Sequence, residues 1–158
     1  MTLEEKLIGL LTEKNMTIST VESLTGGMLS ARLVNVSGAS NVFGQGLVTY
    51  SNEAKHRLAG VPEEVLNTCG AVSPQTAQVM VLCSAKSAGS DVCIATTGNA
   101  GPTGSEGKPV GLVYIACSIH NRAWVNEYIF EGDRQSIREQ TVEKALELTL
   151  ECLNDYLS

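Results

Sequence analysis

A serine, a carboxylate and two glycines lie together near the start of the chain, in the segment Glu22-Ser-Leu-Thr-Gly-Gly27. The preceding residues, Thr17 to Val21, are mostly β-branched and favour a strand, whereas Met28 to Val34 have the apolar spacing of a helix. The sequence therefore predicts a strand, a glycine turn and a helix capped by the Thr25 hydroxyl. The glycines would let a phosphate or an oxyanion reach unpaired N–H groups of the first turn. The alternative is a cap and tight packing without a ligand.

Ser23 has the chemistry of a nucleophile, but a serine hydroxyl needs a neighbouring base to take its proton. The histidines, His56 on a short predicted helix and His120 in a predicted turn, are interpreted as exposed, so no Ser/His/Asp triad is predicted. Lys55 follows a predicted strand end at Tyr50 and would lean over the same cleft from the second turn of a helix. It can act as a base only if burial or a nearby cation lowers its pKa. The alternative is a solvated surface lysine.

A second glycine-rich segment runs from Thr97 to Pro109, after a strand with little alternation. It is rich in backbone N–H groups that can bind an anion, but no Gly-Lys-Ser/Thr opens a helix after it, so it is not a P-loop. Its length and its position after a buried strand favour a functional loop over a flexible connection. At the start of the last predicted helix, Asp133 is the expected N-cap and Arg134 is a candidate phosphate ligand or a surface residue.

The elements that must position these candidates follow from periodicity and turn signals. Helices are predicted at residues 2–15, 28–34, 52–58, 62–67, 74–88 and from 133 onward, and strands at 17–21, 43–50, 91–97, 110–119 and 123–130. This order predicts one α/β domain over residues 1–158, a three-layer α/β/α sandwich with a mixed, mostly parallel sheet, a C-terminal hairpin and a long C-terminal helix. Ser23, Tyr50 and Thr97 fall at predicted strand ends, where ligands of such sheets bind.

Composition narrows the class of protein. The chain has 158 residues, of which 43% are hydrophobic and 4% aromatic, and this suits an aliphatic core without a metal or disulfide staple. The net charge is −6 and the 11 basic residues form no cluster, which argues against a nucleic-acid surface or a polybasic membrane patch. No apolar run could span a bilayer, and the acidic N-terminus is unlike a signal peptide. Five cysteines without a Cys-x-x-Cys pair indicate a reducing cytoplasm, no disulfides and no zinc site.

The predicted hairpin carries three aromatic residues, Trp124, Tyr128 and Phe130, on one face. An exposed face of this kind would make a homodimer contact. The alternative is that these rings pack beneath the final helix.

Six segments together resemble the CinA C-terminal domain family, whose stand-alone members include nicotinamide mononucleotide deamidases. They occur in family order, span nearly the whole chain, and are specific in combination rather than singly. The matching segments are Glu22–Gly27, Val48–Lys55, Gly70–Ser73, Thr97–Pro102, Lys108–Gly111 and Gly132–Arg134.

The resemblance implies an amidohydrolase that converts nicotinamide mononucleotide (NMN) to nicotinate mononucleotide and ammonia without a metal or another cofactor. It maps the catalytic group onto three residues: Ser23 attacks the carboxamide carbon, and Lys55, with Tyr50 in support, accepts the serine proton and later protonates the leaving ammonia. N–H groups near Gly26-Gly27 or Gly98-Asn99 would hold the oxyanion, and the other segment the ribose phosphate. The substrate contacts expected from the resemblance are Glu22, Thr25, Gly26, Gly27, Thr97, Gly98, Asn99, Ala100, Gly101, Lys108 and Arg134.

Two departures from the family pattern concern the second glycine segment. Asn99 stands where the family often has isoleucine, and the loop before Lys108 is about one residue shorter than in the deamidases. These changes bear on substrate preference more than on the fold. They keep two alternatives open, namely a catalytically silent nucleotide-binding module and an amidase that acts on a related amide.

Overall fold

The computed structural model describes all 158 residues of the chain. Its centre is one five-stranded sheet in the order β2-β1-β3-β4-β5. Strands β2, β1 and β3 run parallel to one another, whereas β4 is antiparallel to β3 and β5 is antiparallel to β4. The strands are β1 (Ile18–Glu22), β2 (Phe43–Val48), β3 (Val92–Gly98), β4 (Leu112–Ile119) and β5 (Arg122–Ile129).

Six α-helices cover the two faces of this sheet. Helices α1, α2 and α6 pack on one face, and α3, α4 and α5 pack on the other. The predicted three-layer α/β/α sandwich with a mixed sheet, a C-terminal hairpin and a long last helix is confirmed. The helices are α1 (Leu3–Glu13), α2 (Met28–Val34), α3 (Asn52–Ala59), α4 (Glu63–Thr68), α5 (Pro74–Ala88) and α6 (Arg134–Leu157).

Two separate hydrophobic cores result from the alternation of side chains along the strands. In β3, Val92 and Ile94 contribute to the larger core beneath α1, α2 and α6, whereas Cys93 and Ala95 contribute to the smaller core beneath α5. Both sets are buried because the central strands are covered on both faces. The β1 strand is buried along its whole length. Ser23, which follows it, is therefore held in place by a strand that is shielded from solvent.

The register of the parallel strands determines which residues meet at the carboxyl edge of the sheet. Glu22, the last residue of β1, pairs with Val48 in β2 and with Thr96 in β3. Ser23 and Thr49, the residues that follow β1 and β2, are therefore level with Thr97, whereas β3 continues for one more residue to Gly98. The predicted strand 43–50 ends earlier, at Val48, so Tyr50 lies beyond the sheet.

The C-terminal hairpin matches its prediction, with a two-residue turn at His120 and Asn121 that has φ of 45° and 70°. Its aromatic residues Trp124, Tyr128 and Phe130 are half-buried and pack against the larger core. A homodimer through this face therefore stays a prediction, with less exposed ring surface than expected.

None of the helices combines the length and the hydropathy that crossing a membrane would need. All five cysteines are free thiols. No group of three or more His, Cys, Asp and Glu side chains is arranged to hold a metal ion.

Candidate active site

A cavity of about 300 Å³ opens where the chain leaves β1 and β3, at the low end of the volumes typical of small-molecule sites. It lies at the carboxyl ends of parallel strands, as predicted for this class of sheet. Its walls come from Ser23-Leu24 after β1, from Tyr50 to Lys55, from Ala71-Val72, from the loop that follows β3, and from Arg134 at the start of α6.

The Lys55 amine meets the Ser23 hydroxyl in this cavity. Lys55 Nζ donates to Ser23 Oγ at 2.9 Å and to the backbone oxygen of Thr49 at 2.9 Å. The lysine is 2% exposed and has no carboxylate within salt-bridge distance. Burial lowers its pKa from 10.5 to about 8, although the nearby Glu106 carboxylate acts in the opposite direction. About a tenth of the amine is therefore neutral at pH 7 and able to accept a proton.

The position of Lys55 follows from how α3 begins. Ser51 caps the helix by accepting from the N–H of Ala54 at 3.0 Å. The helix starts four residues after β2 ends, and Lys55 on its inner side reaches Ser23, the residue that follows β1. The alternative of a solvated surface lysine is therefore wrong.

Glu22 performs a structural role that the sequence analysis did not predict. Its carboxylate is fully buried and accepts five hydrogen bonds from the start of α2. The donors are Thr25 Oγ1 (2.6 Å), Gly27 N (3.2 Å), Leu29 N (2.9 Å), Ser30 N (3.0 Å) and Ser30 Oγ (2.6 Å). A carboxylate so occupied has little capacity left for a ligand, and it fixes the turn that carries Ser23.

The expectation that Glu22, Thr25, Gly26 and Gly27 bind substrate is corrected accordingly, because none of them lines the cavity. The N–H of Gly26 donates to the Ser23 carbonyl at 3.0 Å, and that of Gly27 donates to Glu22. Thr25 does not cap α2 either, since its hydroxyl donates to Glu22 and the N-cap residue is Gly27. The first turn of α2 is thus satisfied by protein groups, leaving no N–H there for a phosphate or an oxyanion.

The loop after β3 is held in shape by its own polar side chains. The Thr97 hydroxyl donates to the Ala71 carbonyl at 2.7 Å, and Asn99 Oδ1 accepts from the Gly101 N–H at 3.1 Å. The Asn99 N–H donates to the Leu112 carbonyl at 2.9 Å and is not available for an oxyanion. Thr97, Gly98, Asn99 and Ala100 line the cavity, and we assign the side chains of Thr97 and Asn99 a bracing role.

Lys108 fastens this loop to the segment before α5 and does not line the cavity, which corrects its expected role as a substrate contact. Its amine donates to the carbonyls of Cys69 (2.8 Å) and Val72. Glu106, which the sequence analysis missed, accepts from the N–H groups of Ala71 (2.8 Å) and Val72 (3.1 Å). The sequence feature that could have identified Glu106 is that it is an acidic residue within a glycine-rich loop.

Tyr50 and Arg134 form a pair at the rim. Arg134 donates through Nη2 to the Tyr50 hydroxyl at 2.6 Å and through Nη1 to the Gly101 carbonyl at 2.5 Å. Gly101 contributes only this carbonyl and does not line the cavity. The Tyr50 side chain is 60% exposed, and its hydroxyl does not hydrogen-bond the Lys55 amine. The expected support of Lys55 by Tyr50 is therefore replaced by a contact between Tyr50 and Arg134.

Comparison with known proteins identifies the family of the chain. The chain matches the CinA C-terminal domain family over residues 1–153. It is 49% identical over 155 residues to a competence-damage inducible protein of Caldicellulosiruptor bescii, covering 98% of this chain and 38% of that protein. A Clostridium novyi protein of the same description is 50% identical over 147 residues, covering 92% of this chain and 36% of that protein. The chain thus spans less than two-fifths of the length of these relatives.

Solved structures of similar proteins share the fold over almost their whole length. A competence/damage inducible protein from Agrobacterium tumefaciens has a TM-score of 0.91 and 40% identity, covering 96% of this chain and 93% of that chain. The competence damage-inducible protein A from Klebsiella pneumoniae has a TM-score of 0.94 and 32% identity, covering 96% of this chain and 95% of that chain. On the match to residues 1–153 and on these relatives, the chain is a member of the CinA C-terminal domain family.

Proposed function

We propose that this chain is a hydrolytic amidase that deamidates NMN to nicotinate mononucleotide and ammonia. The observation that carries the proposal is the 2.9 Å contact between Lys55 Nζ and Ser23 Oγ inside a desolvated site. A serine next to an amine with a lowered pKa is the arrangement that nucleophilic catalysis needs. The family resemblance supplies the substrate, and the cavity volume of about 300 Å³ is compatible with a small ligand.

In the first half of the reaction, the neutral Lys55 amine accepts the proton of Ser23 as the serine oxygen attacks the carboxamide carbon. The tetrahedral intermediate carries its negative charge on the former carboxamide oxygen. Lys55, now an ammonium, returns the proton to the nitrogen of the leaving group. The C–N bond breaks, ammonia departs, and an ester between Ser23 and the nicotinoyl group remains.

In the second half, a water molecule attacks the ester carbon while Lys55 accepts one of its protons. The ester bond breaks and Lys55 returns a proton to Ser23 Oγ, which restores the hydroxyl. The Thr49 carbonyl holds the amine in place through both halves, because it accepts from Lys55 Nζ at 2.9 Å. The net change is one amide and one water converted to one carboxylic acid and one ammonia.

The rim provides a cationic group for the ribose phosphate. Arg134 is exposed, and its guanidinium has five N–H donors, of which two make the contacts to Tyr50 and Gly101. A phosphate can accept from the remaining donors, and such charge-assisted bonds are strong. The aromatic ring of Tyr50 lies beside the Arg134 guanidinium and lines the mouth of the cavity. We therefore propose that the phosphate binds at Arg134 and the carboxamide at Ser23.

The test is ammonia release from NMN by the purified chain, measured beside Ser23→Ala and Lys55→Met. Both variants should lose at least 99% of the activity, since each removes one partner of the reacting pair. Lys86→Met, which changes an exposed lysine on α5, is the matched control and should keep full activity. Full activity in both site variants would refute the assigned roles.

Three other outcomes would replace this function or its mechanism. Tight binding of NMN without ammonia release would indicate a nucleotide-binding module. Faster release from another amide in a panel of pyridine and aliphatic carboxamides would indicate a related amidase. Loss of activity on chelation would indicate water activated by a metal ion.

A further inference from the structure

We infer that the backbone N–H groups of Leu24 and Ala100 form the oxyanion-binding pair of this site, and that Arg138 of α6 is the residue that positions the first of them. The inference rests on the proposed serine chemistry. It concerns three residues outside the assigned catalytic group. Leu24 and Ala100 take the place of Gly26, Gly27 and Asn99 as the expected oxyanion donors, because the N–H groups of those three residues already donate to protein acceptors.

Several buried N–H groups around the cavity already donate to protein acceptors. Those of Ser23, Lys55 and Asn99 donate to the carbonyls of Thr96 (3.0 Å), Ser51 (3.0 Å) and Leu112 (2.9 Å), and that of Val72 donates to Glu106. Leu24 is 3% exposed and Ala100 is 5% exposed, both line the cavity, and neither N–H has a protein acceptor. Buried N–H groups without a partner are rare in folded proteins, so two on one cavity indicate a ligand atom as acceptor.

The orientation of the Leu24 N–H follows from the peptide that it shares with Ser23. In a trans peptide the N–H and the C=O point in opposite directions. The Ser23 carbonyl is turned into the tight turn, where it accepts from the N–H of Gly26 at 3.0 Å. The Leu24 N–H consequently points out of that turn, next to the Ser23 side chain and on the residue that immediately follows the nucleophile.

The Ala100 N–H is set in the same way by the peptide that it shares with Asn99. The Asn99 carbonyl accepts from the N–H of Gly111 at 2.8 Å, which directs the Ala100 N–H to the opposite side of the loop. The next N–H along the chain, that of Gly101, is taken by Asn99 Oδ1 at 3.1 Å. Asn99 thus leaves one N–H of this loop segment free, and that N–H lies on a cavity-lining residue.

Arg138 holds the turn after Ser23 from the side away from the cavity. Its Nε donates to the Leu24 carbonyl at 2.8 Å and its Nη2 donates to the Thr25 carbonyl at 3.2 Å. Arg138 does not line the cavity. Gly26, with φ of +56°, leaves room for the guanidinium, because a Cβ there would lie 3.3 Å from Arg138 Nη2. The hydrogen-bonded route from Arg138 to the site therefore runs through the backbone of residues 24 and 25.

Two N–H donors that face the former carboxamide oxygen would stabilise it more in the tetrahedral intermediate than in the planar amide. Loss of one such donor typically lowers kcat by about 10²–10³-fold. Since Arg138→Met loosens a donor without deleting it, we expect kcat for NMN to fall about 10–100-fold, with KM changed less than about threefold. The pH midpoint of kcat/KM should not move, because Lys55 keeps its surroundings. Arg138→Lys should recover part of kcat by donating to one of the two carbonyls.

The experiment uses the boronic acid analogue of nicotinamide, which forms a tetrahedral adduct with a serine oxygen and places a boronate oxygen where the oxyanion would lie. Its Kd is measured by calorimetry for the wild-type chain, Arg138→Met, Arg138→Lys and the control Arg122→Met, whose arginine lies over Trp124 on the hairpin. We expect the Kd for Arg138→Met to rise by the same factor as its kcat falls, with Arg138→Lys in between and Arg122→Met unchanged.

A Kd and a kcat at wild-type level in Arg138→Met would overturn the inference, and so would failure of the boronic acid to bind the wild-type chain. A fall in kcat that tracks a loss of thermal stability, with the boronate Kd unchanged, would also overturn it. The boronate measurement needs no turnover of NMN. If the chain binds the boronic acid but releases no ammonia from NMN, the proposed substrate is wrong and the assignment of the oxyanion pair is retained.

Discussion

The amine of Lys55 lies 2.9 Å from the hydroxyl of Ser23, in a site where the lysine is 2% exposed and has no carboxylate partner. An unpaired, buried ammonium is unfavourable, and the fold tolerates it here because the amine can lose its proton. The same burial that destabilises the charged lysine makes the neutral amine available to Ser23. Reactivity and instability thus have one physical cause in this site.

The activity should increase with pH through the titration of Lys55. Because the proposed base is the neutral Lys55 amine and its pKa is about 8, kcat/KM for NMN should rise about tenfold between pH 7 and pH 9 and then level off. Ammonia release measured at constant ionic strength across this range gives the midpoint. A profile that is flat above pH 6, or one that falls as pH rises, would contradict Lys55 as the base.

The stability of the wild-type chain relative to Lys55→Met should also depend on pH. The folded pKa of Lys55 lies below its unfolded value of 10.5, so the folded state pays no penalty above that pH. The penalty grows as pH falls towards about 8 and is constant below it. The free energy of unfolding of the wild type, minus that of Lys55→Met, should therefore increase by about 2 kcal/mol from pH 7 to pH 10. Urea unfolding of both chains at the two pH values measures this difference, and a constant difference would contradict the burial of a titrating amine.

Removal of the Glu106 charge should shift the pH profile towards acid. The carboxylate of Glu106 raises the pKa of Lys55 against the larger effect of burial, so Glu106→Gln should lower that pKa further. The midpoint of kcat/KM should move to lower pH, while Glu139→Gln, at an exposed position on α6, should leave it in place. A shift in the opposite direction would show that Glu106 acts on the site by another route, such as the N–H groups of Ala71 and Val72.

Arg134 should determine the preference for a phosphorylated substrate. Charge-assisted hydrogen bonds contribute about 1.5–3 kcal/mol, so Arg134→Met should raise KM for NMN by about tenfold or more. The KM for nicotinamide riboside, which lacks the phosphate, should change little. Arg57→Met is the matched control, because Arg57 is an exposed arginine paired with Glu53. Equal effects of Arg134→Met on both substrates would place the phosphate elsewhere.

Much of the fold and part of the site could be predicted from local patterns. The strand ends at Ser23 and Thr97 could be identified because β-branched runs there stop at glycine turns, and the parallel order of β1 and β3 brings them together. The burial of Lys55 could not be predicted, because α3 is short and mostly polar and gives no sign of which side faces the sheet. Its burial depends on the tertiary packing of α3, which lies against α5 and directs the Lys55 amine to Ser23.

The roles of Glu22 and Lys108 were mispredicted for a related reason. Both are charged residues beside glycines, and that pattern is the same whether the charge meets a ligand or the backbone of the protein. In the folded chain, Glu22 accepts from the start of α2, and Lys108 donates to the carbonyls of Cys69 and Val72. These partners depend on loop conformations that no periodicity encodes. The sequence places the charged groups near the site, and only tertiary structure decides which way they turn.

The most direct test of the central claim, that Ser23 is the nucleophile activated by Lys55, is mass spectrometry of the chain quenched with acid during turnover of NMN at pH 8.5. We expect an added mass equal to the nicotinoyl mononucleotide group on the peptide that contains Ser23, present in the wild-type chain and absent in Ser23→Ala and Lys55→Met. Ammonia release at the wild-type rate from Ser23→Ala, without any adduct in the wild type, would contradict the account.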